Sequence, residues 1–473
     1  MGLFSGKHLH FIGIGGAGMS SLAEIACAQG AKVSGSDVMR SPVTTRLEQL
    51  GCQIFIGHQA SHIGHAEIII VSSAISDHNP ELLAAHARGL KIWHRSDLLG
   101  ALMQSYESIA VCGAHGKTTT TALLGYLFRQ AGESVTMING GTLLETGANA
   151  HVGSGRFCVA EADESDASFL KLHPQHTLIT NIDFDHMDTY GHSADKFLDS
   201  FDQFASQTPA TGHLVMCSDD RFSQQVLARV RLKRSVITVG FAEGADWQIQ
   251  DFKSLRSDQR SDQVGIAFTL TGPHHTAVPI RSNMAGRYSA YNIALAIAMM
   301  DACGLSLQHL DLSGFQGVYR RANSYDLIWP SVGKLLMIDD YAHHPKELES
   351  VMAGFRERYP ERRQVVVFQP HRYTRTRDLA QEFVQVLKTA DLCIVMGIYA
   401  ASEAPILGID GQTLVKGFQK LKLPVLYAQD WQALEPLLSQ VLQPHDVLMM
   451  LGAGDIGKMS EKLYQSFKKG AHR

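Results

Sequence analysis

One short stretch constrains the fold of this 473-residue chain more than any other. An apolar run at residues 108–112 leads into GAHGKTT at 113–119, and a helix-forming run at 122–130 follows. A strand, a glycine loop and a helix in this order let successive N–H groups point into one concavity. There the positive end of the helix dipole favours an anion. We therefore predict a triphosphate-binding loop within a parallel α/β sheet.

The residue types in this loop fit that role. Gly113 and Gly116 permit a tight turn, Lys117 adds a mobile positive charge, and Thr118 offers a hydroxyl for Mg²⁺. The pattern is the short form G-x-x-G-K-T, so a glycine-capped strand-to-helix turn is the alternative interpretation. The residues we assign to ATP binding here are Gly113, Ala114, His115, Gly116, Lys117, Thr118 and Thr119.

A second glycine motif lies near the N-terminus. Gly13, Gly15 and Gly18 fit G-x-G-x-x-G after an apolar run, and Asp37 follows the next predicted strand, where an acidic residue often holds a ribose hydroxyl. NAD and nucleotide-sugar sites look alike at this level, and a purely structural glycine turn is a further alternative. The predicted nucleotide-substrate residues are Gly13, Gly15, Gly16, Ala17, Gly18, Met19, Asp37 and Ser72.

Bulk composition narrows the class of protein. The chain is 45% hydrophobic and 19% charged, with a net charge of −4, which gives no support to a nucleic-acid or anionic-membrane partner. No apolar run reaches membrane-spanning length and no signal peptide is evident, so we predict a cytoplasmic protein without membrane insertion. The seven scattered cysteines indicate reduced thiols rather than disulfides or zinc.

Alternating apolar and helix-like segments predict parallel sheets with helices on their faces. The length requires two to four domains. One boundary is expected within residues 92–107 and another near 322. In each unit, polar clusters follow apolar runs, at the sheet edge where ligands bind in such folds.

Two of these clusters are acidic. The string EADESD at 161–166 carries four carboxylates, and Glu161, nearest the strand end, is the best Mg²⁺ ligand; the alternative is a solvated acidic turn. The string TNIDFDHMD at 180–188 places His186 among carboxylates that would hold it toward a phosphate or a metal.

Two further clusters occur in the last third of the chain, DYAHH at 340–344 and HRYTR at 371–375. Arg372 and Arg375 are three residues apart, so they share a face if a helical turn begins there, and arginine clamps carboxylates bidentately. For Arg377 we prefer a solvated basic face.

Together these features predict a reaction type. A triphosphate cradle with a divalent metal indicates phosphoryl transfer, and the second glycine motif indicates a nucleotide-bearing substrate. Arginines on a third unit indicate a small carboxylate-bearing partner. Phosphorylation of a carboxylate would supply a leaving group, and an amine could then attack to give an amide.

These motifs, in this order, resemble those of the Mur ligases of bacterial cell-wall synthesis, and the resemblance runs nearly end to end. It rests on HFIGIGGAGMS at 10–20, GAHGKTT at 113–119, EADESDASF at 161–169, TNIDFDHMDTY at 180–190, DDYAHHP at 339–345 and HRYTRT at 371–376.

The resemblance implies three α/β domains: a Rossmann-like UDP-binding domain (1–104), a central P-loop-type ATPase domain with a mostly parallel sheet (105–321), and a Rossmann-like C-terminal domain that closes over an amino acid (322–473). It implies ATP, Mg²⁺ and an acyl phosphate in peptidoglycan precursor synthesis. It is closest to the members that join L-alanine to UDP-N-acetylmuramate. The alternative is the recycling branch that adds a tripeptide.

Site roles follow by position from the same resemblance. Lys117 contacts the phosphates; Thr118 and Glu161 hold one Mg²⁺; His186 is linked to a second metal; Arg372 and Arg375 orient the alanine carboxylate; Tyr341 and His343 lie close to the amino acid and ATP; and Asn292 lies close to the adenine. Lys117, His186, His343 and the two arginines form the predicted catalytic set. The chain departs from the family at Ala114, usually Thr, and at Tyr288-Ser289, usually His-Asn, which affects the adenine contacts.

Two readings outside this class stay open at this stage. An NAD-dependent oxidoreductase would use the first glycine motif but leaves residues 113–119 unexplained. A non-catalytic nucleotide-binding regulator is disfavoured by Lys117, Glu161 and His186. The chain is expected to be a monomer or a homodimer.

Overall fold

The computed structural model describes residues 2–256, 264–273, 277–401 and 403–468. Its internal contacts divide the chain into two compact units. One comprises residues 1–250, 269–279 and 291–318, and the other comprises 251–268, 280–290 and 319–473. Three sheets are present among the described residues, and the predicted α/β class with mostly parallel sheets is confirmed. The predicted domain limits at residues 104 and 321 stay predictions.

The first sheet is all parallel, with strand order β3-β2-β1-β4-β5. From β1 the strand order runs to one edge of the sheet through β2 and β3, and to the other edge through β4 and β5. Folds of this kind bind ligands at the point between β1 and β4 where the strand order reverses. The elements are β1 (His8–Ile12), α1 (Ala17–Ala28), β2 (Lys32–Asp37), α2 (Pro42–Gln49), β3 (Gln53–Ile56), a 3₁₀ turn (Ala60–Ile63), β4 (Ile68–Val71), α3 (Pro80–Ala87), β5 (Lys91–His94) and α4 (Arg95–Met103).

The second sheet has ten strands in the order β15-β14-β13-β12-β11-β10-β6-β9-β7-β8. From β13 to β7 neighbouring strands run parallel, and β8 pairs antiparallel with β7. Its strands are β6 (Glu107–Cys112), β7 (Thr136–Ile138), β8 (Ala150–His151), β9 (Phe157–Glu161), β10 (His176–Ile179), β11 (Leu214–Cys217), β12 (Ile237–Gly240), β13 (Trp247–Leu255), β14 (Gly265–Thr271) and β15 (Ala277–Ser282). The helices of this region are α5 (Lys117–Gln130), a 3₁₀ turn (Ser168–Lys171), α6 (Ala194–Gln207), α7 (Arg221–Val230) and α8 (Gly286–Ala302).

The first two sheets share one apolar core. Helix α6 places Phe197, Phe201 and Phe204 on one face by helical spacing, and all three are fully buried in the same cluster as Leu9 of β1 and Leu98 of α4. Burial of a large apolar side chain stabilises the fold by about 1.5–3 kcal/mol. One continuous cluster of buried apolar side chains therefore holds the two sheets against each other.

The third sheet has the order β16-β17-β21-β18-β19-β20, parallel except for the edge strand β16. Apolar clusters cover both of its faces, so its central strands are buried on both sides, as parallel strands require. Its strands are β16 (Asn323–Trp329), β17 (Gly333–Asp340), β18 (Gln364–Phe368), β19 (Leu392–Met396), β20 (Leu426–Ala428) and β21 (Val447–Leu451). Its helices are α9 (Pro345–Arg358), α10 (Tyr373–Asp378), α11 (Ala380–Leu387), α12 (Gln412–Lys420), α13 (Trp431–Val441) and α14 (Ile456–Phe467).

Among the helices of the described residues, none combines the length and the apolar character that a membrane crossing needs.

Candidate active site

The predicted phosphate loop joins β6 to α5 and needs glycine at two positions. Gly113 has φ 126°, and a Cβ there would lie 2.2 Å from Oγ1 of Thr180. Gly116 has φ 82°, and a Cβ there would lie 2.6 Å from Oδ1 of Asn292. Both the backbone conformation and the close neighbours exclude a side chain. Asn292, predicted to lie near the adenine, packs against this loop.

The end of strand β10 holds the loop in place. The backbone N–H of His115 donates to Oδ1 of Asn181 at 2.9 Å. The carbonyl of His115 accepts from Oγ1 of Thr180 at 2.6 Å and from Nδ2 of Asn181 at 2.8 Å. The Ala114 N–H donates to the Asn181 carbonyl at 3.1 Å. Asn181, which the sequence analysis did not single out, preorganises the loop.

Lys117 lies at the centre of this site. Its Nζ donates to the carbonyls of Gly113 at 2.7 Å and Ala114 at 3.2 Å, and to Oε1 of Glu164 at 2.8 Å. Burial by itself lowers the pKa of the Lys117 ammonium, but the nearby carboxylates, Glu164 first, outweigh burial and raise that pKa. Burial also raises the pKa of Glu164 to about 7, more than Lys117 lowers it. Sequence reasoning chose Glu161 from the acidic string and missed Glu164.

Thr118 and Glu161 meet beside Lys117. Oγ1 of Thr118 donates to Oε1 of Glu161 at 3.1 Å, and the N–H of Gly140 donates to Oε2 at 2.7 Å. Asn139, beside Gly140, is 1% exposed, and its amide N and O have no hydrogen-bond partner among the described residues. The hydroxyl of Thr118 and the carboxylate of Glu161 form an oxygen donor set that fits Mg²⁺, and the orphaned amide lies one residue from the N–H that bonds Glu161.

His186 follows β10, the strand next to β6, and adopts a left-handed conformation with φ 54°. Its N–H donates to Oδ1 of Asp185 at 2.8 Å, and its Nε2 lies 3.5 Å from Oδ2 of the same carboxylate. His115 makes a similar pair, with its Nε2 at 3.2 Å from Oδ2 of Asp183. Both imidazoles therefore lie at the edge that carries the phosphate loop, each beside a carboxylate.

The glycine loop of the first sheet is held by β2. The N–H groups of Gly13 and Ile14 donate to the Ser36 carbonyl at 2.8 and 3.0 Å, and the Gly15 N–H donates to Oδ2 of Asp37 at 2.8 Å. Asp37, predicted to hold a ribose hydroxyl, thus already supports the loop backbone.

The helix that follows this loop is open to an anion. Helix α1 begins at Ala17 after Gly16, with no side-chain cap and no acidic residue in its first turn, which includes Gly18 and Met19. Ser72 lies in the turn after β4, where its carbonyl accepts the Ile75 N–H at 3.1 Å.

Arg95, the first residue of α4, connects the two sheets and was not predicted. Its Nη2 donates to Oδ2 of Asp163 at 2.8 Å and to Oδ2 of Asp166 at 3.4 Å, both in the acidic string after β9. Oγ of Ser73 donates to the same oxygen of Asp166 at 2.8 Å. A single arginine at the start of a helix matches no functional sequence motif. The role of Arg95 is therefore visible only once the two sheets are packed together.

The third sheet carries the remaining predicted residues, all of which belong to the second compact unit. The rings of Tyr341 and His343 meet edge to face at 5.4 Å, and those of His343 and His371 at 5.6 Å. Burial raises the pKa of Asp340, whose carboxylate accepts the N–H groups of Ala342 and Ala322, to about 6.

The two predicted arginines lie at the start of α10, so a helical turn begins there as expected. Arg372 precedes the helix with φ 72°, and its Nε lies 3.9 Å from Oε1 of Glu403. Nη1 of Arg375 lies 3.3 Å from Nδ1 of His371. The pair is thus placed at the carboxyl edge of the third sheet, near the Tyr341–His343–His371 ring cluster.

The glycine loops, lysine and acidic strings define an α/β nucleotide-dependent enzyme, and comparison with known proteins identifies its family. The chain matches the models of the Mur ligase family, catalytic domain, at residues 8–107, the Mur ligase middle domain at 111–300, and the Mur ligase, glutamate ligase domain at 328–454. The chain belongs to the Mur ligase family, whose members are ATP-dependent amide-bond-forming ligases.

Solved structures of similar architecture cover from two thirds to nearly all of the chain. UDP-N-acetylmuramate–alanine ligase from Thermotoga maritima is 26% identical with a TM-score of 0.80, over 97% of this chain and 99% of that one. A murein peptide ligase from Psychrobacter arcticus 273-4 is 23% identical with a TM-score of 0.68, over 98% of both chains. The UDP-N-acetylmuramate:L-alanyl-γ-D-glutamyl-meso-diaminopimelate ligase of Neisseria meningitides is 25% identical with a TM-score of 0.59, over 67% of this chain and 100% of that one.

Proposed function

We propose that this chain joins L-alanine to the carboxylate of UDP-N-acetylmuramate, with ATP and Mg²⁺, through an acyl phosphate. The observation that carries the proposal is the full-length similarity to an alanine ligase, with a TM-score of 0.80 against 0.68 for the murein peptide ligase. Cytoplasmic location and a monomeric or homodimeric state stay predictions beside it.

The residues around the phosphate loop support the first half of this reaction. The substrate carboxylate would attack the γ-phosphorus of ATP, the bond to ADP would break, and the acyl phosphate would form. Lys117 would stabilise the charge on the phosphoryl oxygens, and the loop N–H groups would hold the phosphates. Thr118 and Glu161 are the residues that would hold Mg²⁺, which supplies charge neutralisation when bound.

The third sheet supports the second half. The alanine amine would attack the acyl carbon, phosphate would leave, and the amine would lose a proton as the amide forms. Arg372 and Arg375 would bind the alanine carboxylate and aim the amine, and Tyr341 and His343 would line the same place. We further propose that residues 1–104 bind the UDP-sugar, that residues 105–321 bind ATP and carry the phosphoryl transfer, and that residues 322–473 bind the amino acid.

The recycling branch is the second candidate, since two peptide-adding ligases also resemble this chain. The test is phosphate release by the full chain with ATP, Mg²⁺ and UDP-N-acetylmuramate, given either L-alanine or the L-alanyl-γ-D-glutamyl-meso-diaminopimelate tripeptide. We expect turnover with alanine. Turnover with the tripeptide alone would overturn the proposal in favour of recycling.

A further inference from the structure

The guanidinium of Arg95 occupies an unusual position for a cation. A Cβ built on Gly18, the second residue of α1, would lie 3.5 Å from Nη1 of Arg95. The N-terminus of a helix repels positive charge, so a guanidinium there is unfavourable unless anions accompany it. In this chain Asp163 and Asp166 supply them.

The donors of Arg95 are divided between two directions. Both of its hydrogen bonds among the described residues come from Nη2, which faces the acidic string. A guanidinium carries five N–H donors in a rigid fork, so the Nη1 side, against Gly18, retains donors of its own. One side chain can therefore hold the acidic string and an anion at the first glycine loop together.

The acidic string also contacts the phosphate loop. Asp163 directly precedes Glu164, whose Oε1 accepts a hydrogen bond from Nζ of Lys117 at 2.8 Å. Arg95, the acidic string and Lys117 thus connect the first glycine loop to the second through contacts between oppositely charged groups.

We propose that Arg95 is a positioning residue that binds the diphosphate of the nucleotide-sugar through Nη1 while Nη2 keeps the acidic string against it. This inference rests on the proposed function and adds a residue to it. Arg95 would thereby tie occupancy of the first nucleotide site to the placement of the residues around Lys117.

The test measures binding of UDP and of uridine to the full chain without ATP, by calorimetry. Charge-assisted hydrogen bonds predict that Arg95→Ala weakens UDP binding about 10- to 100-fold and leaves uridine binding unchanged, with Arg95→Lys in between. The matched control is Arg88→Ala, which removes an exposed arginine at the end of α3 whose Nη1 donates to the Gly64 carbonyl. The control variant should bind UDP as the wild type does.

The outcomes separate the two proposals. Equal UDP affinity in Arg95→Ala and wild type would refute the role of Arg95, and so would an equal loss for UDP and uridine, which indicates a purely structural effect. Failure of the wild type to bind UDP would instead refute the nucleotide-sugar site itself. If Arg95→Ala unfolds, the Arg95→Lys comparison between UDP and uridine still decides.

The link to the acidic string has its own readout. Because Asp163 would act through Arg95, Asp163→Asn should weaken UDP binding less than Arg95→Ala, and the double variant should be no weaker than Arg95→Ala alone. In turnover, Arg95→Ala should raise KM for the UDP-sugar with little change in KM for ATP. Strict additivity of the two substitutions would show that the residues act independently and would contradict the proposal.

Discussion

Lys117 and Glu164 form a buried ion pair, with Nζ 2.8 Å from Oε1, and side chains that are only 14% and 4% exposed. The three donors of the ammonium are already used by Glu164 and two loop carbonyls. A phosphate entering the loop must therefore replace at least one of these partners. The ion pair positions Lys117 at the site. It is also one of the interactions that nucleotide binding can displace.

Lys117→Ala should lower amino-acid-dependent phosphate release by at least 100-fold, because loss of one charged group that stabilises the transition state costs about 2.7–4 kcal/mol. UDP binding should change little, since Lys117 begins α5 at the phosphate loop and does not belong to the first glycine loop. Steady-state assays and UDP calorimetry check the two expectations. Lys196→Ala, at an exposed lysine of α6, is the matched control. Normal turnover in Lys117→Ala would remove Lys117 from the chemistry.

Glu164 should make stability depend on pH. The pKa of Glu164 is raised from 4.5 to about 7 in the folded chain. Its contribution to the free energy of unfolding is therefore fully present below about pH 4.5 and is lost as the pH rises through about 7. The shift of roughly 2.5 units corresponds to a stability change on the order of 3 kcal/mol. Urea unfolding of wild type and Glu164→Gln at pH 5, 6, 7 and 8 should show the variant gaining relative stability over this range.

The control for this pH series is Glu243→Gln, at an exposed glutamate in the turn after β12. This variant shows how much of any difference between pH values comes from the loss of a surface carboxylate alone. A constant difference between Glu164→Gln and wild type from pH 5 to 8 would mean that Glu164 does not titrate in this range, contrary to the expectation.

Gly113→Ala should abolish ATP binding and destabilise the fold. A Cβ at this position would meet Oγ1 of Thr180 at 2.2 Å, and a left-handed backbone costs a further 1–2 kcal/mol or so for alanine. Gly132→Ala is a matched control at the other end of α5, because Gly132 has φ 87° with no neighbour within 4 Å. Gly132→Ala should lose only the stability that a left-handed backbone costs alanine, and its affinity for ATP should not change. Thermal unfolding and ATP calorimetry compare them, and equal behaviour of the two variants would refute the steric argument.

Glu81 should stabilise the first sheet and its glycine loop. This fully buried carboxylate accepts hydrogen bonds from Ser36 at 2.6 Å and the Gln59 N–H at 3.1 Å, with His10 and His62 at 3.0 and 3.1 Å. Burial raises the pKa of Glu81, but these partners outweigh burial and lower it. Its stabilisation is therefore present above pH 4.5 and lost as the pH falls below that value.

Glu81→Gln should accordingly cost about 1–3 kcal/mol at pH 7, because the amide leaves buried donors unpaired, and the cost should shrink toward pH 4. Glu67→Gln, which removes an exposed pair with Lys7, should cost far less than Glu81→Gln, because water screens exposed ion pairs. Urea unfolding of both variants at pH 7 and pH 4 tests this. Equal costs for Glu81→Gln and Glu67→Gln would contradict the importance of the buried network.

The sequence was sufficient for the architecture and for the loops, because each glycine or acidic string follows an apolar run and parallel strands bring those ends to one edge. It singled out Glu161 as a metal ligand but gave no role to Glu164. Both belong to one acidic string, and only the turn after β9 sends Glu161 toward Thr118 and Glu164 toward Lys117. Arg95 was out of reach for a related reason, since its partners depend on the core shared by two sheets.

The hydroxyl of Thr118 offers the most selective test of the metal site. Thr118→Val keeps the shape, including the methyl group that packs near Gly141, but removes the oxygen that bonds Glu161, whereas Thr118→Ser keeps the oxygen and removes the methyl. Since Mg²⁺ requires oxygen ligands, we expect Thr118→Val to raise the Mg²⁺ concentration for half-maximal phosphate release roughly tenfold, a loss of about 1.4 kcal/mol. Thr118→Ser should stay within a few-fold of wild type. If the two variants shift the Mg²⁺ requirement equally, packing rather than ligation explains Thr118, and the assignment of the metal to Thr118 and Glu161 is wrong.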